Sequence, residues 1–112
     1  MLAEGDILII KDEKKYVCKL DWAFEVIRGK WKAVILCHLL DGTKRFLELQ
    51  RITHGVSHKV LNEKLKELED DGLIHKKVYN ELPPKVEYYL TNKGTEYATI
   101  LKEIELLGEK YF

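Results

Sequence analysis

Three sets of residues in this chain of 112 have side chains that could do chemistry. The first pairs imidazoles and thiols. His54 and His58 stand four apart, as a metal-ligating pair on one helical turn would. Gly55 and Ser57 between them read instead as a turn and a helix cap, which separates the rings. Cys37 and His38 are adjacent, and neighbours on a helix do not face the same way, so they make no nucleophile–base pair. With no Cys-x-x-Cys and no triad spacing, neither metal, cofactor nor catalysis is expected. The second is Cys18 alone. Lys15 and Lys19 are close in sequence and a helix begins just after, surroundings that favour a reactive thiol; the alternative is a small buried packing residue. The third is basic. Between residues 30 and 61, Lys30, Lys32, Lys44, Arg45, Arg51 and Lys59 oppose only Asp41 and Glu48, an excess of four positive charges on a chain of zero formal net charge. Such asymmetry marks either a solvated face or a surface for an anionic partner.

Elements must position these residues. A chain 46% hydrophobic and 34% charged suits one globular domain spanning 1–112, and no apolar run reaches membrane-spanning length. Two cysteines make no disulfide framework, which points to a reducing cytoplasm. Residues 1–17 form an extension in which a short hairpin turns at Asp12, Glu13 and Lys14. Leu20, Ala23, Phe24, Ile27 and Trp31 share one helical face that Gly29 interrupts, and residues 31–40 are apolar nearly all round, as a central buried helix would be. A short helix from Phe46 then leads through His54, Gly55 and Val56 to a longer helix capped by Ser57. Leu61, Leu65 and Leu68 are its buried stripe; Lys59, Asn62, Glu63 and Lys66 lie opposite.

Two β-rich runs flank Pro83 and Pro84, the chain's only prolines, so a hairpin with a stiffened tip is expected over 73–91. Thr91 caps a last helix with Tyr97, Ile100, Leu101, Ile104 and Leu107 at helical spacing. Helix, short helix, glycine turn, capped helix, hairpin is the order of an α+β, mainly α, winged helix-turn-helix, with 46–71 as the helix-turn-helix and 73–91 as the wing. In that arrangement Lys44, Arg45, Ser57, His58, Lys59, Asn62 and Lys66 face double-stranded DNA, and the wing holds out Lys85. A winged-helix module that contacts protein without binding DNA has the same order of elements, and the retained Lys44, Arg45, Lys59 and Lys85 argue against it.

The motifs resemble those of the HxlR family of transcriptional regulators, which is related to the MarR-type regulators. They are GKW at 29–31, DGTKRFLEL at 41–49, VSHKVLNEKLKELEDDGLI at 56–74 and NELPPKVEYYLTNKG at 80–94. Lys19 and Lys32 depart from the usual family residues, and Thr43 stands where proline is frequent. The resemblance implies a homodimer on operator DNA, with no metal and no catalysis. Its interface would use the first and last helices, through Leu20, Phe24, Ile27, Tyr97, Ile100, Leu101, Ile104 and Leu107. Many relatives carry a cysteine at this distance before GKW, and in some it answers an oxidant or small electrophile, so the resemblance makes Cys18 a candidate for that role beside the packing alternative. Cys37 lies far from the C-terminus, so the product would be an adduct, a sulfenic acid or a Cys18–Cys18 bridge. Trp22 and Trp31 are read as core or interface aromatics that an aromatic effector could use.

Overall fold

The computed structural model describes residues 8–112. The hairpin expected near the N-terminus is present from residue 9 onward, as β1 (Ile9–Lys11) paired with β2 (Lys14–Tyr16). Its turn has two residues rather than three. Asp12 and Glu13 both take left-handed φ, 51° and 66°, the backbone whose twist matches the flanking strands. Residues 1–7, the first part of the expected extension, lie outside the described residues. Tyr16 is buried and its hydroxyl donates to Glu25 Oε2 at 3.3 Å, tying the hairpin to α1 (Lys19–Glu25).

The helical face that begins at Leu20 breaks before Gly29, and the chain resumes as α2 (Lys32–Leu39). Ile35, Leu36 and Leu39 of α2 are buried, and Val34 alone of its large aliphatics is exposed. A two-residue strand, β3 (Lys44–Arg45), precedes α3 (Phe46–Ile52). The turn to α4 (His58–Asp70) passes through Gly55 at φ +90°, a conformation that only glycine adopts without strain. Ser57 caps α4, its Oγ accepting the Val60 N–H at 3.1 Å. Leu61, Leu65 and Leu68 pack into the core with at most 1% exposure, which fixes the rotation of α4 and sends its other face outward.

The wing is β4 (Ile74–Tyr79) and β5 (Lys85–Leu90), antiparallel from Ile74↔Leu90 to Tyr79↔Lys85. β3 pairs on the other side of β5, so the strand order is β3-β5-β4. The prolines sit in the loop at 80–84, and the Leu82–Pro83 bond is cis. Helix α5 (Asn92–Tyr111) closes the molecule. Thr91 accepts the Gly94 N–H at 2.9 Å and donates to Gly72 O at 2.7 Å, stitching α5 to the end of α4.

Candidate nucleic-acid interface

The buried leucines leave Ser57, His58, Lys59, Asn62, Glu63 and Lys66 exposed on one side of α4. Lys59 and Asn62 take part in no ion pair or side-chain hydrogen bond among the described residues, so their polar groups project unengaged. Lys66 instead pairs with Asp70 at 3.0 Å, a bond between two exposed groups that raises the lysine's pKa. Exposed pairs of this kind are weak and exchange readily for another anion. His58 lies against Phe46 with ring centroids 4.5 Å apart, so it braces α4 on α3 as well as facing outward.

Four of the basic residues, Lys32, Lys44, Arg45 and Lys85, stand differently from what the sequence suggested. Lys32 is 8% exposed and bound to Glu67 of α4 at 3.0 Å, so it does not contribute to a basic face. That bond, with a second to Lys64 at 3.4 Å, holds the Glu67 carboxyl below the usual carboxylate range against the opposing effect of burial. Lys44 and Arg45, expected to face DNA beside the short helix that begins at Phe46, form β3, opposite Tyr88 and Glu87 of the wing. Arg45 remains exposed, and its N–H donates to Glu48 Oε1 at 2.9 Å to cap α3.

Lys85 does not stand free at the wing tip. It lies over the Tyr79 ring at 4.6 Å and pairs with Glu87 at 3.3 Å, its side chain only 26% exposed. The Tyr79 hydroxyl first, then Lys85, holds the Glu87 carboxyl below its ordinary range. The exposed wing cations are Lys76 and Lys77 of β4, which sequence reasoning missed. Lys76 lines a shallow cleft with Asn62 and Lys66, beside the open face of α4. Strand alternation from the buried Ile74 would have placed Lys76 on the inner face; the strand lies at the edge of its sheet, and that face is open there.

A second surface lies away from α4. Helices α1 and α5 line an apolar groove of about 490 Å³. Ile27 and Leu101, at 9% exposure each, are core residues that form its floor rather than side chains offered to a partner. Tyr97 is half-buried, its hydroxyl donating to Ala23 O at 2.8 Å. Leu20, Phe24, Ile100, Ile104 and Leu107 are exposed. Neither tryptophan lines this groove: Trp22 lies under Lys11 and Trp31 packs against the core.

Cys18 is exposed at the N-cap of α1, which removes the packing alternative for the single chain. Cys37 is half-buried, and burial pushes its thiol pKa up.

The HxlR-like helix-turn-helix family profile matches residues 26–112, the whole span from the end of α1 through the wing and α5. The chain belongs to the HxlR family. The HTH-type regulator YtcD of Bacillus subtilis is 49% identical over 90 residues, 80% of this chain and 71% of that one. Among solved structures, the redox regulator HypR in its oxidised form superposes with a TM-score of 0.79 at 41% identity, over 83% of this chain and 96% of HypR. A regulator of Porphyromonas gingivalis W83 described as of the MarR family gives a TM-score of 0.82 at 36% identity, over 93% and 99% of the two chains. This HxlR-type chain is therefore a transcriptional regulator with a helix-turn-helix DNA-binding domain, and its relatives are regulators rather than enzymes. No helix among the described residues is long and apolar enough to cross a membrane.

Proposed function

We propose that the protein acts as a homodimer on a pseudo-palindromic operator, with α4 of each subunit in a major groove and Cys18 as the site of an oxidant or electrophile response. The observation that carries the DNA contact is the face of α4 where Lys59 and Asn62 project without partners, above a fully buried leucine stripe. Lys59 supplies charge to phosphate and Asn62 a paired donor and acceptor suited to adenine. Lys76 shares a cleft with that face, and Arg45 is exposed on β3.

The dimer is supported by apolar surface in excess of what one subunit covers. The exposed side chains of Leu20, Phe24, Ile100, Ile104 and Leu107 continue along α5 to Tyr111. Water-exposed apolar area of this extent is favourably covered by a second copy, and a two-fold axis would bring two copies of α4 to sites one DNA turn apart. The redox part is supported by the exposure of Cys18 and by the similarity to HypR, itself a redox regulator.

Selection from random duplexes followed by gel shift tests the reading. Lys59→Ala is expected to weaken binding and to lower the salt slope by about one. Asn62→Ala is expected to relax base preference at one position, by about 1–3 kcal/mol. A wild-type protein that retains no duplex in a salt-dependent manner refutes it.

A further inference from the structure

The wing tip carries no positive charge. Its loop at 80–84 is Asn80, Glu81, Leu82, Pro83 and Pro84, and its one ionisable group is acidic. The lysines on either side fold back on the same ring: Lys77 lies 4.9 Å and Lys85 4.6 Å from the Tyr79 centroid. What the tip presents instead is Leu82, a residue 97% exposed that two prolines follow directly. A leucine this exposed gains nothing for the isolated fold.

We infer that Leu82 is a wedge that enters the minor groove beside the half-site read by α4, so that the wing contributes apolar contact and shape reading rather than phosphate contact. The inference rests on the DNA-binding reading above. Reach favours it. Lys76 lines the cleft beside α4, and the six residue steps from there to Leu82 span at most about 20 Å at the rise of a strand. Half a turn of DNA, the distance from a major groove to the next minor groove, is about 17 Å. Stiffness favours it too, because proline removes φ freedom from two of the five loop residues and lowers the entropy cost of holding the tip in place. Apolar side chains between base steps are an established means of gripping the minor groove, and their favourable term is burial of the side chain.

The test uses the full chain and a duplex that the wild type selects, with Leu82→Ser, Leu82→Phe and Lys59→Ala compared. Leu82 is nearly fully exposed, so its variants are expected to fold as the wild type does. Leu82→Ser should lose on the order of tenfold in affinity with an unchanged salt slope. It should also lose hydroxyl-radical protection in the flanking minor groove and the permanganate reactivity of thymines unstacked there. Leu82→Phe should keep both signals. Lys59→Ala should keep the flanking signals while its salt slope falls. Unchanged affinity and flanking protection in Leu82→Ser overturn the wedge while leaving operator binding by α4 standing. A salt slope that falls in Leu82→Ser overturns it as well, because the loop would then be acting through phosphate. A wild type that selects no duplex removes the DNA reading itself, and the wedge with it.

Discussion

Two glycines in α5 should respond to the same substitution with opposite signs. Alanine is favoured over glycine in a helix by about 1 kcal/mol, so propensity alone predicts that Gly94→Ala and Gly108→Ala both stabilise. Gly94, however, is buried where α5 meets the wing. A Cβ there would be driven into the Leu73 carbonyl oxygen, 2.9 Å from its carbon and 3.2 Å from Leu90 Cδ2. The obstacle is backbone that cannot rotate away, and the same carbonyl accepts the Thr91 N–H at 3.1 Å. Relief requires α5 to lift from the sheet. That would cost about 1–3 kcal/mol for overpacking and about 1 kcal/mol for the Thr91 cap, whose Oγ bonds both Gly94 N and Gly72 O. Set against about 1 kcal/mol of gained propensity, the net expectation for Gly94→Ala is a loss of about 1–3 kcal/mol. A Cβ at Gly108 meets nothing within 4 Å, and Gly108→Ala should gain a few tenths to about 1 kcal/mol. Urea unfolding followed by circular dichroism at one fixed chain concentration reads both, since association would shift apparent stability. Gly94→Ala as stable as wild type, or both variants shifting the same way, would refute the close-approach argument.

Thr53→Val should raise stability by about 1 kcal/mol in the same assay, because Thr53 Oγ1 is buried without a hydrogen-bond partner and the valine keeps its shape; a loss of stability would mean that the hydroxyl is satisfied. Lys32→Ala should destabilise, as it leaves Glu67 without its main partner, and Lys32→Met should destabilise less. Glu67 has a depressed pKa when folded, so its contribution is complete above the ordinary value of 4.5 and drains as pH falls through the lower folded value. Glu67→Gln should flatten that acid limb of the stability profile, and an unaltered limb would show that Glu67 does not carry it. Diamide should weaken operator binding by wild type and not by Cys18→Ser; equal responses would dismiss Cys18 as a sensor.

The parts of the fold legible in the sequence were those written in strong local signals. The 3-4 spacing of Leu61, Leu65 and Leu68, the Ser57 cap and the glycine turn at Gly55 define α3 and α4 almost residue by residue. The paired prolines located the wing loop. Side-chain pairing between elements was not legible. Lys32 counts as a positive charge in any sequence window, and only the packing of α2 on α4 shows that Glu67 neutralises it. Lys85 read as a tip cation because it follows the prolines, but strand alternation turns it onto Tyr79, its partner across the hairpin. Ile27 and Leu101 share helical faces with exposed residues, and the sequence does not say where one subunit's core ends and its outer surface begins.

These pairings also constrain how a signal at Cys18 could reach DNA. Helix α4, the proposed recognition helix, is held on three sides: by its leucines in the core, by Lys32 of α2 through Glu67, and at its C-terminal end by Thr91 and Lys93, which bond Gly72 O and Asp71 O at 2.7 and 3.0 Å. A helix so anchored moves with its subunit as a rigid body, because interiors packed at this density transmit displacement rather than absorb it. Cys18 touches a different part of the molecule, at the junction of the N-terminal hairpin and α1, whose exposed face adjoins α5. The hairpin and α1 also share a cleft with Asp70 and Asp71 at the end of α4, so the route through the groove is the one the following test isolates. If the groove is the dimer interface, the change open to the protein is a rotation of one subunit against the other, which alters the spacing between two unchanged recognition helices. Base preference within a half-site would then survive oxidation, while tolerance for the distance between half-sites would shift. Selecting duplexes with varied half-site spacing before and after diamide treatment separates the two. A changed half-site sequence at constant spacing would place the response inside the helix-turn-helix, and the rigid-frame argument would fail.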